Sequence, residues 1–358
     1  MRRLLSIALP IIIYFAVEQI YGYFWGLVTG LLLSVVFSAY NAVKDKRIDW
    51  GSSLTDVALI LAFGGGDVLS EKYMPDAAPA VTSGIMTAAL AFLTTKRGMK
   101  TTSRMLDSIR PGIADNPYAI QLVRSSLKRM TCWGLIATAV FASVAGGENA
   151  EASDWVDKYL LLTILLACLA TEVIVSRVAK AKYKDSEWVP LMSEDGRTVG
   201  GAPRPLVHNG SHWLHAVVHL HVINSSGSLL LQLRPKSKKI QSGKWDTAVG
   251  GHITLGEQLQ DALRRETAEE IGLTNFEAKH TARYVWKCDV ENEFVFVFTT
   301  RNDGPFTPQN IGEVEELRFW TPDELERALG SGLLTPNLEK ELKDGLLEKL
   351  RDRHIQHT

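Results

Sequence analysis

The chain is poor in cysteine, and the few it has are too widely spaced for a disulfide framework or a thiolate metal site: Cys132, Cys168 and Cys288. Such usage is typical of a thiol-reducing compartment. The chain also lacks an excess of either charge, because 39 Lys+Arg against 40 Asp+Glu give a formal net charge of −1. This balance argues against a nucleic-acid polymer as a partner. The first half lacks histidine altogether, and all 9 histidines follow residue 207.

The two halves of the 358-residue chain differ in kind, and the length is enough for two domains. Apolar runs precede residue 180, separated by charge at the spacing that a bilayer imposes: 4–20, 23–42, 54–69, 78–93, 130–145 and 159–176. The first run is not a cleavable signal peptide, because no small-residue cleavage site precedes Glu18. Residues 1–184 are therefore predicted to form an all-α polytopic membrane bundle of five to six transmembrane helices within the lipid bilayer.

The charges between the runs predict the orientation of this membrane domain. If all six runs span, basic residues concentrate on one side, above all in the connection 94–129, whereas Lys72 and Lys158 stand among acids on the other. The positive-inside rule then places both termini in the cytoplasm. Four acidic groups inside the runs are functional candidates unless they pair within the bundle or lie near an interface: Glu18, Asp56, Asp67 and Glu172.

The run Leu4–Lys46, the Phe63-Gly64-Gly65 stretch and the basic end of the last run resemble the septation protein A family. Its members are small bacterial inner-membrane proteins tied to the cell envelope and division. The resemblance covers about residues 1–184 and supplies no catalytic residues. It implies a protein of the bacterial inner membrane. The expected protein partners are a second copy of the chain, as a homodimer, or envelope proteins.

After Lys180 the composition turns polar, and residues 185–204 are predicted to be a linker and the start of a soluble domain at 205–358. Alternation in Leu214–Ile223 predicts a strand, and the periodicity of Leu259–Ile271, ended by Gly272, predicts a central helix. Further elements are predicted as strands 229–234, 284–289 and 293–300 and helices 322–328 and 338–350. Together they indicate an α/β/α sandwich with a mixed sheet.

The densest pattern is Gly251-His-Ile-Thr-Leu-Gly-Glu257, then seven residues, then Arg265-Glu-Thr-Ala-Glu-Glu-Ile-Gly-Leu273. We call it the glutamate motif. Three of its glutamates share one helix face at positions i, i+3 and i+4: Glu266, Glu269 and Glu270. Like charges this close raise one another's pKa unless a cation lies among them. Hard oxygen ligands favour Mg²⁺ or Mn²⁺, and such a cation also holds a diphosphate.

The remaining positions of the glutamate motif complete the predicted metal site. Gly251 lets its carbonyl join the coordination, Glu257 lies at the mouth of the loop, and Arg265 can hold a carboxylate bidentately. A solvated acidic face would explain a lone Glu-Glu pair, but not nine positions in one register. We therefore assign catalysis to Arg265 and to Glu266 or Glu270 as general base, and metal binding to Glu257, Glu266, Glu269, Glu270 and Gly251.

This motif resembles the Nudix box, with Thr267 where an aliphatic residue is usual. The segments Leu229–Pro235 and Gly243–His252 resemble the Nudix branch related to isopentenyl-diphosphate isomerase. The resemblance implies a Nudix-type sandwich and a second candidate metal site at the positions that match the isomerase ligands: His208, His215, His252, Glu291 and Glu293. Mn²⁺, Mg²⁺ or Zn²⁺ would suit these donors. The candidate substrate-binding residues are Arg234, Lys244 and Trp245.

Two observations leave alternatives open. His208 and His215 are equally well explained as loop and strand-start residues, and His219 and His221 are read as structural. The isomerase uses a catalytic cysteine two residues before its matching histidine, whereas this chain has Gly250 there, which argues against isomerisation.

The leading hypothesis is a membrane-anchored, metal-dependent hydrolase at the cytoplasmic face. It would cleave a phosphoanhydride of a nucleoside diphosphate linked to another group, or of a related small diphosphate. One alternative is an isoprenoid-diphosphate isomerase-like enzyme. The other is a membrane scaffold or transport protein with a nucleotide-sensing Nudix domain, which the intact glutamate set disfavours.

Overall fold

A computed structural model of the protein describes residues 10, 13–14, 16–18, 20–45, 73, 77–145, 150–238 and 240–355. The chain divides into two compact units, Met1–Lys184 and Asp185–Thr358. Most of the first apolar run and all of the third lie outside the described residues. So do the Phe63-Gly64-Gly65 stretch and two of the acidic groups, Asp56 and Asp67.

The described part of the first unit is helical. Its α-helices are α1 (Tyr23–Asp45), α2 (Ala78–Thr94), α3 (Lys96–Ile109), α4 (Pro117–Val144) and α5 (Ala150–Lys182). The segment 94–129, expected as a connection, is itself largely helical. The reason is local, because Thr95 and Asn116 accept hydrogen bonds from the backbone N–H groups of Gly98 and Ala119 and so begin α3 and α4.

Among the described residues, no single helix is both long enough and apolar enough to cross a membrane. One pair, Ala78–Thr94 with Lys96–Asp107, meets these criteria jointly, and it is bent by 87° at the break. The six-span topology therefore stays a prediction.

Polar contacts join the helices of the first unit. Arg129 of α4 donates two hydrogen bonds of 2.7 Å to the carboxylate oxygens of Glu172 on α5. The hydroxyls of Ser83 on α2 and Thr138 on α4 lie 2.9 Å apart. Glu172, one of the acidic groups within the apolar runs, is therefore paired inside its own unit.

The second unit is built around a mixed sheet. Its strands are β1 (Trp188–Met192), β2 (Thr198–Pro203), β3 (Leu214–Ile223), β4 (Leu229–Leu233), β5 (Trp245–Thr247), β6 (Val249–His252), β7 (Lys279–Lys287), β8 (Asn292–Arg301) and β9 (Glu316–Trp320). They run in the order β2-β1-β3-β4-β5, with β6 and β8 also paired to β3, β7 paired to β8 and β9 paired to β4. Strands β3 and β8 are parallel along their full length, and the other pairs are antiparallel. The predicted mixed sheet is confirmed.

The helices of this unit are α6 (Arg204–Val207), α7 (Leu259–Ile271), α8 (Pro322–Ala328), α9 (Pro336–Glu341) and α10 (Leu347–Ile355), and a kinked segment, Leu342–Leu346, joins the last two. The prediction of one helix over 338–350 is wrong in one respect. Gly345 adopts a φ of 111° and interrupts it, which glycine allows without strain.

Residues 185–204, expected as a linker and the start of the soluble domain, carry a β-hairpin of the sheet. Strand β1 pairs with β2 and, through Leu191, with His215 of β3. The polar, glycine-containing stretch between the strands forms the turn, where Gly196 has a φ of 88°. Polar residues and glycine are common to linkers and to tight turns, so composition alone does not distinguish the two.

Strand β3 has two different faces because successive side chains alternate. One face packs against α7 in the larger apolar cluster, through Ala216, Val218, Leu220 and Val222. The other face carries His215, Val217, His219 and His221. A second apolar cluster joins Ile223, β4 and Trp320 to the helices α8–α10. The sheet therefore lies between two helical layers, as expected for an α/β/α sandwich.

Candidate active site

Helix α7 places the three glutamates of the glutamate motif at different depths. Its buried stripe includes Glu266 and Glu270, which are only 8% and 6% exposed, together with Leu263 and Ile271. Glu269 lies off this stripe, and 54% of its side chain is exposed. Two carboxylates are thus buried, while the third lies at the surface.

Arg265 donates four hydrogen bonds to carboxylates of the motif and a fifth to a backbone carbonyl. Its Nε and Nη2 donate to the two oxygens of Glu257, each at 2.9 Å, in a bidentate ion pair. Its Nη1 donates to Glu266 Oε1 at 2.8 Å and to Glu269 Oε2 at 3.3 Å. Nη2 also donates to the carbonyl of His252 at 3.0 Å. The guanidinium therefore ties the loop of the motif to its helix.

The buried carboxylates approach the backbone at two adjacent residues of β6, Gly250 and Gly251. A Cβ at Gly251 would lie 2.0 Å from Glu266 Cδ, so that glycine alone leaves room for this carboxylate. The N–H of Gly250 donates to Glu270 Oε2 at 3.1 Å, and Gln232 Nε2 donates to the same oxygen at 3.1 Å. The carboxylates of Glu266 and Glu270 therefore both lie against the backbone of β6.

Burial governs the charge of these carboxyls. It raises the pKa of Glu266, against the opposing hydrogen bond from Arg265. It also raises the pKa of Glu270 to about 8, and the carboxylates of Glu266 and Glu313 add to this effect. By contrast, the hydrogen bond from Arg265 lowers the pKa of Glu257. Two buried carboxyls that resist ionisation side by side fit a site for a cation, which would relieve their mutual repulsion.

A second group of candidate ligands is formed by three histidines. Nitrogen atoms of His208, His215 and His252 lie within 4.8 Å of one another. The Nε2 atoms of His208 and His252 are 2.9 Å apart. His215 Nδ1 lies 3.1 Å from the carbonyl of Trp213, whereas its Nε2 is buried with no hydrogen-bond partner among the described residues. An unpartnered buried nitrogen that faces two other imidazoles fits a metal ligand.

The protonation of this cluster favours metal binding. Burial lowers the pKa of His215 to about 4 and holds the pKa of His252 well below its usual value. Both rings are therefore neutral near pH 7 and keep a nitrogen lone pair, which is the form that binds a metal.

The two glutamates of the second site differ in their contacts. Glu291 Oε2 lies 3.1 Å from His208 Nδ1, and this contact lowers the pKa of Glu291 although burial acts to raise it. Glu293 pairs with His215 across β3 and β8 and accepts a hydrogen bond of 3.0 Å from Asn337 Nδ2. Burial, with the charge of Glu291, raises the pKa of Glu293 to about 7. The structure thus brings the three histidines and Glu291 together and places Glu293 beside His215.

A third buried group, which the sequence does not predict, centres on Glu341 of α9. Its Oε1 lies 2.7 Å from His219 Nδ1 and accepts a 2.7 Å hydrogen bond from the Tyr284 hydroxyl. Its Oε2 lies 2.7 Å from His221 Nε2. Although burial opposes it, the charges of the two histidines hold the pKa of Glu341 well below its usual range. His219 and His221 are therefore fixed by a shared carboxylate.

Comparison with known proteins identifies the family. A NUDIX domain model matches residues 213–338. The chain is 34% identical over 152 residues to isopentenyl-diphosphate Delta-isomerase of Mycolicibacterium vanbaalenii, a match that covers 40% of this chain and 81% of that protein. The chain belongs to the Nudix family. The prediction of an enzyme that hydrolyses pyrophosphate bonds is confirmed at the level of this family.

Two further proteins match part of the chain. An uncharacterized Nudix hydrolase of Pseudomonas aeruginosa is 30% identical over 152 residues, covering 41% of this chain and 85% of that protein. A crystal structure of a Deinococcus radiodurans protein matches with a TM-score of 0.40 and 23% identity, covering 44% of this chain and 98% of that chain.

The residues predicted to bind substrate lie around the β4–β5 connection of the Nudix domain. The Arg234 N–H donates to the Lys244 carbonyl at 2.9 Å, and its guanidinium lies 3.2 Å from Asp246. Trp245 packs edge-on against Trp320, with ring centroids 5.3 Å apart. Within the described residues, no hydrogen bond joins Arg234, Lys244 or Trp245 to the glutamate motif, and their role in binding stays a prediction.

Several supporting contacts of the Nudix site escape sequence reasoning. Glu187, at the start of the β1–β2 hairpin, accepts hydrogen bonds from Thr254 Oγ1 at 3.2 Å and from Arg204 Nη1 at 2.9 Å. It thereby anchors the loop of the glutamate motif. The sequence gives the clearest indication for Gln232, whose amide contacts Glu270. It is the polar residue in the otherwise apolar strand Leu229–Leu233.

A metal-binding role of the histidine cluster predicts a specific stability effect. Mn²⁺ or Zn²⁺ should raise the Tm of the full-length protein, because a ligand that binds only the folded state stabilises it. His215→Asn keeps an amide near the position of Nδ1, which faces Trp213, but removes Nε2. We expect the variant to lose most of the metal-induced rise in Tm, measured by thermal unfolding with and without metal. An equal rise in both proteins would contradict ligation by His215.

Proposed function

We propose that this protein is a membrane-anchored, divalent-metal-dependent Nudix hydrolase that acts at the cytoplasmic face. Its substrate would be a nucleoside diphosphate linked to another group, or a related small diphosphate. One observation supports this proposal above all: the carboxylates of Glu266 and Glu270 both lie against the backbone of β6. Arg265 holds this arrangement through its hydrogen bonds to Glu257 and Glu266.

The donors present fit Mg²⁺ or Mn²⁺, because all of them are hard oxygen atoms. They are the carboxylates of Glu257, Glu266, Glu269 and Glu270 and the carbonyl of Gly251. A divalent cation held there supplies neutralisation of the phosphate charge and activation of water.

Each side chain of the glutamate motif has its own role in the proposed reaction. Arg265 holds Glu257 and Glu266 in fixed orientations, which limits the reorganisation needed when substrate binds. The hydrogen bonds from Gly250 and Gln232 fix Glu270 Oε2. Glu266 or Glu270 accepts the proton of the attacking water, and burial, by raising the pKa of both, makes them better proton acceptors.

An isomerase-like activity on an isoprenoid diphosphate is the second candidate. It is favoured by the histidine cluster and by the 34% identity to a protein named as an isopentenyl-diphosphate isomerase. Gly250 disfavours it, because the chain has no thiol where the isomerase resemblance expects its catalytic cysteine.

A substrate screen separates the candidates. Purified full-length protein would be incubated with nucleoside-diphosphate compounds and isopentenyl diphosphate in the presence of Mg²⁺ or Mn²⁺. Release of a monophosphate from a nucleoside diphosphate is the expected result. Formation of the isomeric allylic diphosphate would instead support the isomerase. Binding of nucleotides without turnover would support a sensor domain in a membrane scaffold or transport protein.

The membrane location has its own test. The apolar runs before residue 180 and the basic residues between them support an inner-membrane protein whose termini and Nudix domain are cytoplasmic. Alkaline phosphatase fused after Thr358 should therefore be inactive in a bacterial host, whereas a fluorescent protein fused there should fold. A highly active phosphatase fusion would contradict this orientation.

A further inference from the structure

His219 and His221 each place one ring nitrogen against the carboxylate of Glu341. They differ in the contacts of the other ring nitrogen. His221 uses both nitrogens, since Nε2 faces Glu341 and Nδ1 lies 3.3 Å from Thr247 Oγ1. His219 uses only Nδ1, towards Glu341, and its Nε2 has no hydrogen-bond partner among the described residues. Yet His219 is only 7% exposed. Nε2 is not among the fully buried unpaired polar atoms of the described residues, so it keeps some accessible surface and can be reached by a ligand.

The free edge of His219 faces Gly250. These residues pair directly across the antiparallel strands β3 and β6, so that their side-chain positions share one face of the sheet. A Cβ built on Gly250 would lie 3.7 Å from His219 Cδ2 and 3.8 Å from Nε2. The absence of a side chain at position 250 therefore leaves space directly over the unpaired nitrogen.

This space lies on the face of the sheet that carries the histidine cluster, because position 250 alternates with Gly251, whose side-chain position faces Glu266 on the α7 side. The N–H of Gly250 itself donates to Glu270 of the glutamate motif, and His252 follows two residues later on the same strand. His221, Tyr284 and Glu341 line a cavity of about 660 Å³ that His219 and Gly250 do not line. Among the described residues, His219 therefore faces the side-chain position of Gly250 and does not line this cavity.

The surrounding charges make His219 a hydrogen-bond donor. Burial acts to lower its pKa, but Glu341, with smaller contributions from Asp246 and Glu293, raises it to about 9. The ring then carries a proton on Nε2 near neutral pH. A buried imidazolium held by a carboxylate is a fixed positive charge, which suits an anionic oxygen.

We propose that His219 is a substrate-binding residue whose Nε2–H donates to a phosphate oxygen of the diphosphate, in the space that Gly250 leaves open. The assignment rests on the proposed diphosphate substrate and deepens it by naming a contact outside the glutamate motif. Glu341 acts as a positioning residue, because it sets the orientation of the ring through Nδ1.

Paired substitutions separate phosphate binding from the structural role of the cluster. His219→Asn keeps an amide near Nδ1, and so its bond to Glu341, but deletes Nε2. His221→Gln keeps an amide near Nε2, and so its bond to the same carboxylate, but deletes Nδ1. Both variants therefore disturb the buried cluster to a similar degree, while only the first removes the proposed phosphate contact.

The probe is inorganic pyrophosphate, titrated calorimetrically into full-length protein with Mg²⁺. His219→Asn should weaken binding by about ten- to hundredfold, the effect of losing one hydrogen bond to a charged group. His221→Gln should retain the affinity of the unchanged protein, and His219→Gln, with an amide near Nε2, should recover part of it. Gly250→Val, which fills the space without altering His219, should weaken binding as well and serves as the test should His219→Asn fail to fold.

Three results would overturn the assignment: equal affinity in His219→Asn and the unchanged protein, equal losses in His219→Asn and His221→Gln, or no pyrophosphate binding by the unchanged protein. None of them decides the proposed hydrolysis, which the substrate screen tests separately.

Discussion

Glu270→Gln is expected to reduce hydrolysis by about 10²- to 10⁴-fold, the usual contribution of a general base, while the fold stays intact. The glutamine amide oxygen can still accept the two hydrogen bonds that Glu270 Oε2 receives from Gly250 and Gln232. The amide cannot take up a proton from water, and it is a weaker ligand than a carboxylate for a hard cation. The measurement is kcat on the substrate found in the screen, with saturating Mg²⁺.

A matched control is available on the same helix. Asp261 lies exposed in the first turn of α7, away from the buried stripe that carries Glu266 and Glu270. Asp261→Asn makes the same carboxyl-to-amide change on this helix and should leave kcat essentially unchanged. Full activity of Glu270→Gln would show that Glu270 is neither the base nor a necessary ligand.

We also expect the stability of Glu270→Gln, relative to the unchanged protein, to depend on pH. Burial raises the pKa of Glu270 from 4.5 to about 8, so the metal-free folded protein keeps a proton that the unfolded chain releases within this range. The folded state therefore loses stability as the pH rises from about 4.5 to about 8. Glutamine does not titrate, and the Tm of metal-free Glu270→Gln relative to the unchanged protein should increase across this window and then level off. A constant difference would show that Glu270 does not titrate there.

The parts of the site that the sequence predicts are those set by helical spacing. Glu266 and Glu270 are four residues apart and share the buried stripe with Leu263 and Ile271, as the apolar pattern of α7 indicates. The spacing of the glutamates predicts that Glu269 belongs to the same group, yet Glu269 lies off the apolar stripe of α7. Its side chain is exposed for that reason, and the apolar pattern of the sequence indicates this exposure.

Thr267 shows how a departure from the family pattern is accommodated. The residue is fully buried where the resemblance expects an aliphatic side chain. Its hydroxyl donates to the Leu263 carbonyl one turn earlier at 2.6 Å, so that no polar atom is left unsatisfied. The substitution therefore affects packing and leaves the ligands in place.

The parts that the sequence misses are set by contacts between distant segments. Glu341 lies 122 residues after His219, and neither periodicity nor a motif links the two positions. Asn337 reaches Glu293 from the same short helix, α9. Local patterns specify which face of an element is buried, whereas the docking of α9 against β3 and β8 depends on the tertiary fold as a whole.

Gly251→Ala is expected to weaken Mn²⁺ binding and to reduce hydrolysis by about 10²-fold, because a displacement of about 1 Å in a catalytic group has an effect of this size. The new Cβ would lie 2.0 Å from Glu266 Cδ and 2.3 Å from its Oε2. Neither glycine of β6 has a positive φ, so the backbone itself tolerates alanine. The side chain of Glu266 must therefore turn away from β6, which removes a carboxylate from the site at a modest cost in Tm.

The neighbouring glycine supplies the control for this prediction. At Gly250 the added Cβ would meet its nearest atoms, in Thr247 and His219, at 3.6 to 3.8 Å, which is ordinary van der Waals contact. Gly250→Ala should keep both the Tm and the Mn²⁺ affinity of the unchanged protein, whereas Gly251→Ala should lose the affinity. Equal Mn²⁺ affinities in the two variants would mean that Glu266 does not need its place against Gly251 to bind metal. The glycine would then serve only the packing of β6, and the metal site would have to be sought among the other carboxylates of the motif.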